Sequence, residues 1–470
     1  MENSISVLQQ HNPWWIRKEM ILDDVNILDY QQKKYQYVPP IVGDYPVNTD
    51  AILTLRGPRQ IGKSTSLKLL IRKLLLEDKI PEKTVFYFSL DRIEDFNQLY
   101  DLLSCYLNDI RTKTNDRLHI FLDEISFVRE WQRCIKALAD EGRLKNATLL
   151  LTGSNTIDIM KGSERMPGRR GSLDKLDYDQ LPLTFYEFIK MIDPAIECNN
   201  IEHLIFSQNL LNSRFKEYLI TGGFPLTMNL FYSQEYISSF AYQIYVNWIE
   251  GDIGRVGKSE RNLYQIMSRV LTHLSTGISW HSMSKEAGIV SHKTVQEYIE
   301  LLERMYVLYT IPFIDLSSKL PKYRKNKKIA FTDPLIFHCF SGMDKGVSDN
   351  LYHASLKFLD DPNQLGKLVE NIVGRHIALK YKNIFYWQGK KEIDFVVKEQ
   401  NKLKFFEVKY QERVSTNEFE WFIKQHSSKE NLTVITKHNI VLNQKIQLIP
   451  APIFLMILEN NLLNGLKQLN

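Results

Sequence analysis

Gly57-Pro58-Arg59-Gln60-Ile61-Gly62-Lys63-Ser64 matches the spacing G-x-x-x-x-G-K-[ST] at every fixed position, the pattern of a loop that wraps phosphate. Just before it, Ala51-Ile52-Leu53-Thr54-Leu55 is a short apolar run that predicts a strand entering the loop. Just after it, residues 66–76 are apolar on a helical period and predict a helix leaving it. Gly57 and Gly62 let backbone N–H groups turn inward, and the helix N-terminus adds a favourable dipole for an anion.

The loop chemistry points to ATP with Mg2+. Gly57, Gln60, Gly62, Lys63, Ser64 and Thr65 form the expected nucleotide-binding set. Lys63 is expected to reach the β- and γ-phosphates and Ser64 to ligate magnesium. A second apolar run, Leu118-His119-Ile120-Phe121-Leu122, ends in Asp123-Glu124. Asp123 is expected to hold magnesium through water, and Glu124 to orient or deprotonate the attacking water. A third, Thr148-Leu149-Leu150-Leu151, ends at Thr152-Gly153-Ser154-Asn155, where Ser154 or Asn155 is the candidate γ-phosphate sensor.

A chain of 470 residues exceeds one ordinary core and implies two to four domains. Apolar residues at 44% and charged residues at 24% describe a soluble globular protein, expected in the cytoplasm. No apolar run approaches the roughly 18 to 20 residues that cross a bilayer, and Met1-Glu2-Asn3-Ser4-Ile5 does not read as a secretion signal. The four cysteines lack C-x-x-C spacing, which argues against a disulfide framework and a zinc site. A net charge of +5 does not by itself indicate nucleic acid, so local clustering decides.

Along the chain, residues 1–48 read as a lead-in segment whose Trp14, Trp15, Tyr35 and Tyr37 either pack on the next domain, the reading preferred, or line a ligand site. Residues 49–195 alternate strand and helix, which implies a mainly parallel sheet with helices on both faces. Residues 196–258 read as helical, broken at Thr221-Gly222-Gly223-Phe224-Pro225, either a plain turn or a ligand-facing loop. Residues 259–328 carry a winged-helix pattern, in which His292, Lys293 and Gln296 at the start of a helix either face a DNA groove or belong to a scaffold. Its basic block, Lys319, Lys322, Arg324, Lys325, Lys327 and Lys328, is either a solvated hairpin tip or a track for a phosphate backbone.

Residues 329–470 hold a second chemical centre. Glu392-Ile393-Asp394 and, after a polar turn, Phe406-Glu407-Val408-Lys409 read as two strands of a hairpin. Alternation puts Glu407 and Lys409 on one face, with Asp394 beside Glu407. Asp394 and Glu407 are the candidate ligands of Mg2+, Lys409 the group that positions water or neutralises phosphate, and Glu370 a further acidic contact from a helix. The alternatives are a surface Glu–Lys pair and a nuclease fold that has lost activity and only binds.

These residues, with Leu183-Thr184-Phe185-Tyr186-Glu187-Phe188, Pro167-Gly168-Arg169-Arg170-Gly171 and Gly222-Gly223-Phe224-Pro225, resemble prokaryotic AAA-type ATPases close to the archaeal ATPase and STAND branches. That resemblance covers nearly the whole chain. It implies an α/β fold with a P-loop AAA-like parallel sheet between helices, a helical lid, a winged helix-turn-helix and a C-terminal restriction-endonuclease-like domain of PD-(D/E)xK type. It also implies that Arg169 or Arg170 serves as an arginine finger and that Gly223 and Pro225 contact adenine.

Three functions follow as expectations: an ATPase that processes and cuts DNA, a STAND-type ATP-gated switch, and a junction translocase whose nuclease fold is inactive. The intact Asp394, Glu407 and Lys409 set favours the first. Partners are expected to be double-stranded or branched DNA and other copies of the chain, as in a ring, with no membrane.

Overall fold

Four largely apolar runs and one short polar one build the first sheet: β1 (Ala51–Arg56), β2 (Val85–Ser89), β3 (Leu118–Asp123), β4 (Ala147–Thr152) and the three-residue β5 (Asp177–Asp179). The computed structural model describes residues 5–153, 156–346, 350–400, 402–425, 431–442, 444–460 and 462. The chain folds into two units, the first reaching Leu181 and the second beginning at Pro182.

In the first unit all strand pairs are parallel and the order is β2-β3-β4-β1-β5. Parallel strands joined by helical crossovers are covered on both faces, so they need nearly unbroken apolar sequence. Along β3, Leu118, Ile120 and Leu122 face one core with the helices Phe96–Arg111 and Trp131–Asp140. Phe121 faces the other, with the phosphate-loop helix Lys63–Arg72 and Trp14. The exposed edge of β2 is covered by the lead-in segment, as its aromatics suggest. Asn12 exchanges hydrogen bonds with the backbone of Tyr87, and the Trp14 and Trp15 indoles both donate to the Val85 carbonyl. That edge would otherwise present unpaired backbone groups to other chains.

The second unit begins before the helix Phe185–Ile192, which the alternating pattern of the sequence joins to the ATPase core. Its aromatic face decides this: Phe185 and Phe188 pack edge-on against Tyr218 of the helix Gln208–Thr221. The winged-helix pattern appears as helices Glu260–Thr272, Trp280–Glu286 and His292–Arg304, followed by β6 (Leu308–Pro312). A small hairpin of β7 (Ile314–Asp315) and β8 (Leu320–Pro321) leads to β9 (Lys327–Phe331), which pairs antiparallel with β6. A boundary at 328/329 therefore cuts a strand, and the wing runs to Phe331.

The helix Pro362–Lys380 precedes a second sheet of β10 (Ile384–Gln388), β11 (Glu392–Glu399), β12 (Lys402–Lys409), β13 (Leu432–Thr436) and β14 (Ile446–Pro450), in sequential order. β10, β11 and β12 form an antiparallel meander, whereas β13 and β14 join in parallel. Among the described residues no helix is long and apolar enough to cross a membrane.

Candidate functional site

The phosphate loop turns where its residue types allow. Gln60 and Gly62 have φ of 62° and 91°, left-handed values that gather successive N–H groups into a concave anion nest. At Gly57 a Cβ would lie 2.1 Å from the Gln180 carbonyl oxygen, so only glycine fits. Lys63 opens the helix with its ammonium folded over the loop, donating to the carbonyls of Gly57 (3.0 Å) and Pro58 (2.9 Å). Ser64 and Thr65 follow, half-buried.

β3 brings the carboxylates. Asp123 is buried, accepts from the Tyr87 hydroxyl at 3.2 Å and from the Glu124 N–H at 3.0 Å, and is hydrogen-bonded to the Ser64 side chain. Burial raises its pKa, and the bond from Ser64 works against that shift. Glu124 takes a left-handed φ of 55°, which turns the chain directly after Asp123. The serine and aspartate expected to share magnesium thus meet, beside a nest of N–H donors and a lysine. These residues fit Mg2+ and ATP. The candidate sensors Ser154 and Asn155 lie outside the described residues.

Gln180, which no motif in the sequence singles out, braces this loop. Its Nε2 donates to the Ile61 carbonyl at 2.8 Å and its Oε1 accepts from the Ser66 hydroxyl at 2.8 Å. No local pattern marks it, because its partners lie 119 and 114 residues away.

The two candidate finger arginines part company. Arg170 is spent within its own chain, donating to the Ile52 and Leu176 carbonyls and to both oxygens of Asp177. Arg169 pairs at 2.6 Å with Asp140 on the exposed surface. Gly223 and Pro225, expected to contact adenine, belong to the second unit. The Gly223 N–H donates to Asp333 at 2.8 Å and its carbonyl accepts from Leu183 at 2.8 Å, while Pro225 starts a helix. Asp333 is fully buried, and burial pushes its pKa up to about 6.

The hairpin centre forms as its alternation requires. The Asp394 N–H donates to Glu407 Oε2 at 3.2 Å, and Asp394 Oδ2 accepts from the Val408 N–H at 2.9 Å. Lys409 pairs with Glu407 at 2.9 Å, and Glu370 arrives from the helix Pro362–Lys380. The unexpected member of this centre is Lys328. Its ammonium, almost wholly buried, lies 2.9 Å from Glu370, 2.5 Å from Glu392 and 3.1 Å from Asp394. Burial alone would lower its pKa, but Asp394, Glu370 and Glu392 hold it well above the usual lysine value. Burial and the Asp394 charge raise Glu370 to about 8 and Glu407 to about 7.

A divalent ion on Asp394 and Glu407 does not fit this arrangement, because a cation already stands among the carboxylates. Among the described residues no group of three or more His, Cys, Asp and Glu side chains is placed to hold a metal ion. The basic block is likewise divided: Lys327 and Lys328 are buried, whereas Lys322, Arg324 and Lys325 are exposed around Tyr323. His292 and Lys293 are also exposed.

Residues 49–189 match the family model described as an AAA domain. Residues 212–346 and 365–454 match two domains of unknown function, DUF8612 and DUF4143. An uncharacterized protein of Haemophilus influenzae is 23% identical over 58% of this chain, which spans 65% of that protein's length. An uncharacterized protein of Methanocaldococcus jannaschii is 24% identical over 74% of this chain and 72% of its own length. A Walker-type ATPase of Pyrococcus abyssi aligns with 62% of this chain and 90% of its own, with a TM-score of 0.39 and 12% identity.

Proposed function

We propose that the chain, whose residues 49–189 match an AAA domain, is an AAA-type ATPase that hydrolyses ATP to act on DNA, which it grips through its winged helix. Bound Mg2+–ATP supplies the phosphoanhydride that is cleaved. The N–H nest at 57–62 and Lys63 hold its phosphates, and Ser64 and Asp123 hold the metal. Glu124 accepts the proton of the attacking water at its carboxylate. Arg169, half-buried and paired with Asp140 at the surface, is the arginine that completes a neighbouring copy's site.

One observation carries the DNA reading: the tip of the wing keeps Lys322, Arg324 and Lys325 in solvent around the exposed Tyr323. Cations flanking an aromatic ring suit a phosphate backbone with bases alongside. Lys293 and His292, at the start of the helix Ser291 caps, add charge and hydrogen-bond donors in the same winged helix. The C-terminal domain on this reading holds DNA or a partner without cutting, because Lys328 occupies its carboxylate centre.

The test is fluorescence anisotropy on linear duplex and four-way-junction DNA over a salt series, with ATPase rates measured alongside. Wild type should bind, with hydrolysis stimulated. Replacing Lys322, Arg324 and Lys325 together by Ala should reduce the slope of log affinity against log salt by about 3, near one unit per lost phosphate contact. Absence of both DNA binding and stimulation would sink the reading.

A further inference from the structure

The Lys328 ammonium has three hydrogens, and three carboxylate oxygens receive them: Glu370 Oε1, Glu392 Oε1 and Asp394 Oδ1. Behind them the rings of Tyr386 and Phe395 lie 5.7 and 5.8 Å from the nitrogen. This is a complete coordination sphere for an ammonium ion, assembled by a helix and a strand around a cation from the wing. A surface lysine would not be drawn into such a place, since burying a charge is costly unless every donor is met. The carboxylates come from the helix Pro362–Lys380 and from β11, the cation from β9.

We propose that Lys328 is the resident cation of this centre, standing where a hard divalent ion would otherwise bind, and that the wing strand thereby keeps a latent oxygen-ligand metal site closed. The latent ligands are Glu370, Glu392 and Asp394, the three carboxylates that the ammonium now bonds. They supply the anionic oxygens that Mg2+ or Mn2+ takes, and the Lys328 ammonium stands among them. The inference concerns the C-terminal centre alone and is independent of whether the wing grips DNA.

The test uses the full chain without nucleotide, and Mn2+ as the probe, read by electron paramagnetic resonance and by calorimetry. Wild type and Asp394→Asn should take up Mn2+ identically, because the centre is closed. Lys328→Ala should gain one Mn2+ per chain, bound at least tenfold more tightly than any uptake by wild type, and Lys328→Ala/Asp394→Asn should lose it again. Lys328→Met, which keeps the stem volume, is read the same way if the alanine variant does not fold by circular dichroism. Mn2+ uptake by wild type that disappears in Asp394→Asn would overturn the proposal without any Lys328 variant. So would a folded Lys328 variant that gains no Mn2+.

Discussion

The Lys68 ammonium lies 3.4 Å from the centroid of the Tyr87 ring. The Tyr87 hydroxyl in turn donates to Asp123, and Asp24 holds the other side of Lys68 at 3.1 Å. A residue of the lead-in segment is thus connected, through the phosphate-loop helix and the edge strand β2, to the carboxylate that would share magnesium with Ser64. Because the Tyr87 hydroxyl bonds to Asp123, its loss should act on turnover. Tyr87→Phe is expected to lower kcat for ATP hydrolysis about tenfold, the worth of one hydrogen bond to a charged group. The Kd for ATP should stay within about twofold. Parallel losses in both would mean that the contact supports the fold and does not position Asp123.

Gln180 should behave in the opposite way. Gln180→Ala removes the brace between Ile61 and Ser66, so the nest must be ordered by the nucleotide itself. The loss of one or two buried hydrogen bonds is worth about 1–2 kcal/mol, or roughly tenfold in ATP affinity. Titration with a fluorescent ATP analogue reads this directly, and unchanged affinity would remove Gln180 from the binding machinery.

Lys328 is also a structural bond. Lys328→Met leaves Glu370 and Asp394 buried without their cation, and breaking one side of a buried ion pair costs about 3–5 kcal/mol. Glu370→Gln should cost less, because Glu392 and Asp394 remain on the ammonium. Urea unfolding followed by tryptophan fluorescence should give that order, and equal midpoints for wild type and Lys328→Met would refute it.

Asp333 predicts a pH dependence of definite sign. Burial raises its carboxyl from 3.8 to about 6, so the folded chain holds this proton more tightly than the unfolded chain. Its contribution to stability is complete below about pH 4 and is lost as pH rises through about 6. Asp333→Asn deletes the titration while keeping one acceptor for the N–H groups of Gly223 and Leu335. The stability difference between wild type and variant should therefore shift against wild type by on the order of 3 kcal/mol between pH 4 and pH 7. A difference independent of pH would mean that Asp333 is ionised throughout.

The strands β1, β3 and β4 are legible in the sequence because parallel strands buried on both faces demand unbroken apolar runs, and because each ends in residues of distinct chemistry. The Asp394–Glu407 pairing is legible for a related reason, since alternation and a hairpin turn fix which side chains share a face. Lys328 is not. In a cluster of six basic residues it looks like the exposed Lys322, Arg324 and Lys325, and the carboxylates that pull it inward lie 42 and 66 residues further on. Arg170 is hidden in the same way among the arginines of its loop: a carbonyl 118 residues away holds its guanidinium. Propensity and spacing report local chemistry, whereas these two side chains are decided by partners that only the folded backbone assembles.

Consecutive lysines in β9 project to opposite sides of the strand. Lys327 rests 4.1 Å from the Trp280 ring in the winged helix, and Lys328 sits in the carboxylate cluster of the second sheet. In mechanical terms the wing is a short lever, with its free arm at residues 322–325 and its fulcrum at this lysine pair. A load on the tip cannot shift the strand without rolling Lys327 on its aromatic bearing and drawing Lys328 along its own socket. Whatever seats itself on the tip therefore pulls on a charge buried among acids, and the strain is carried by one strand five residues long.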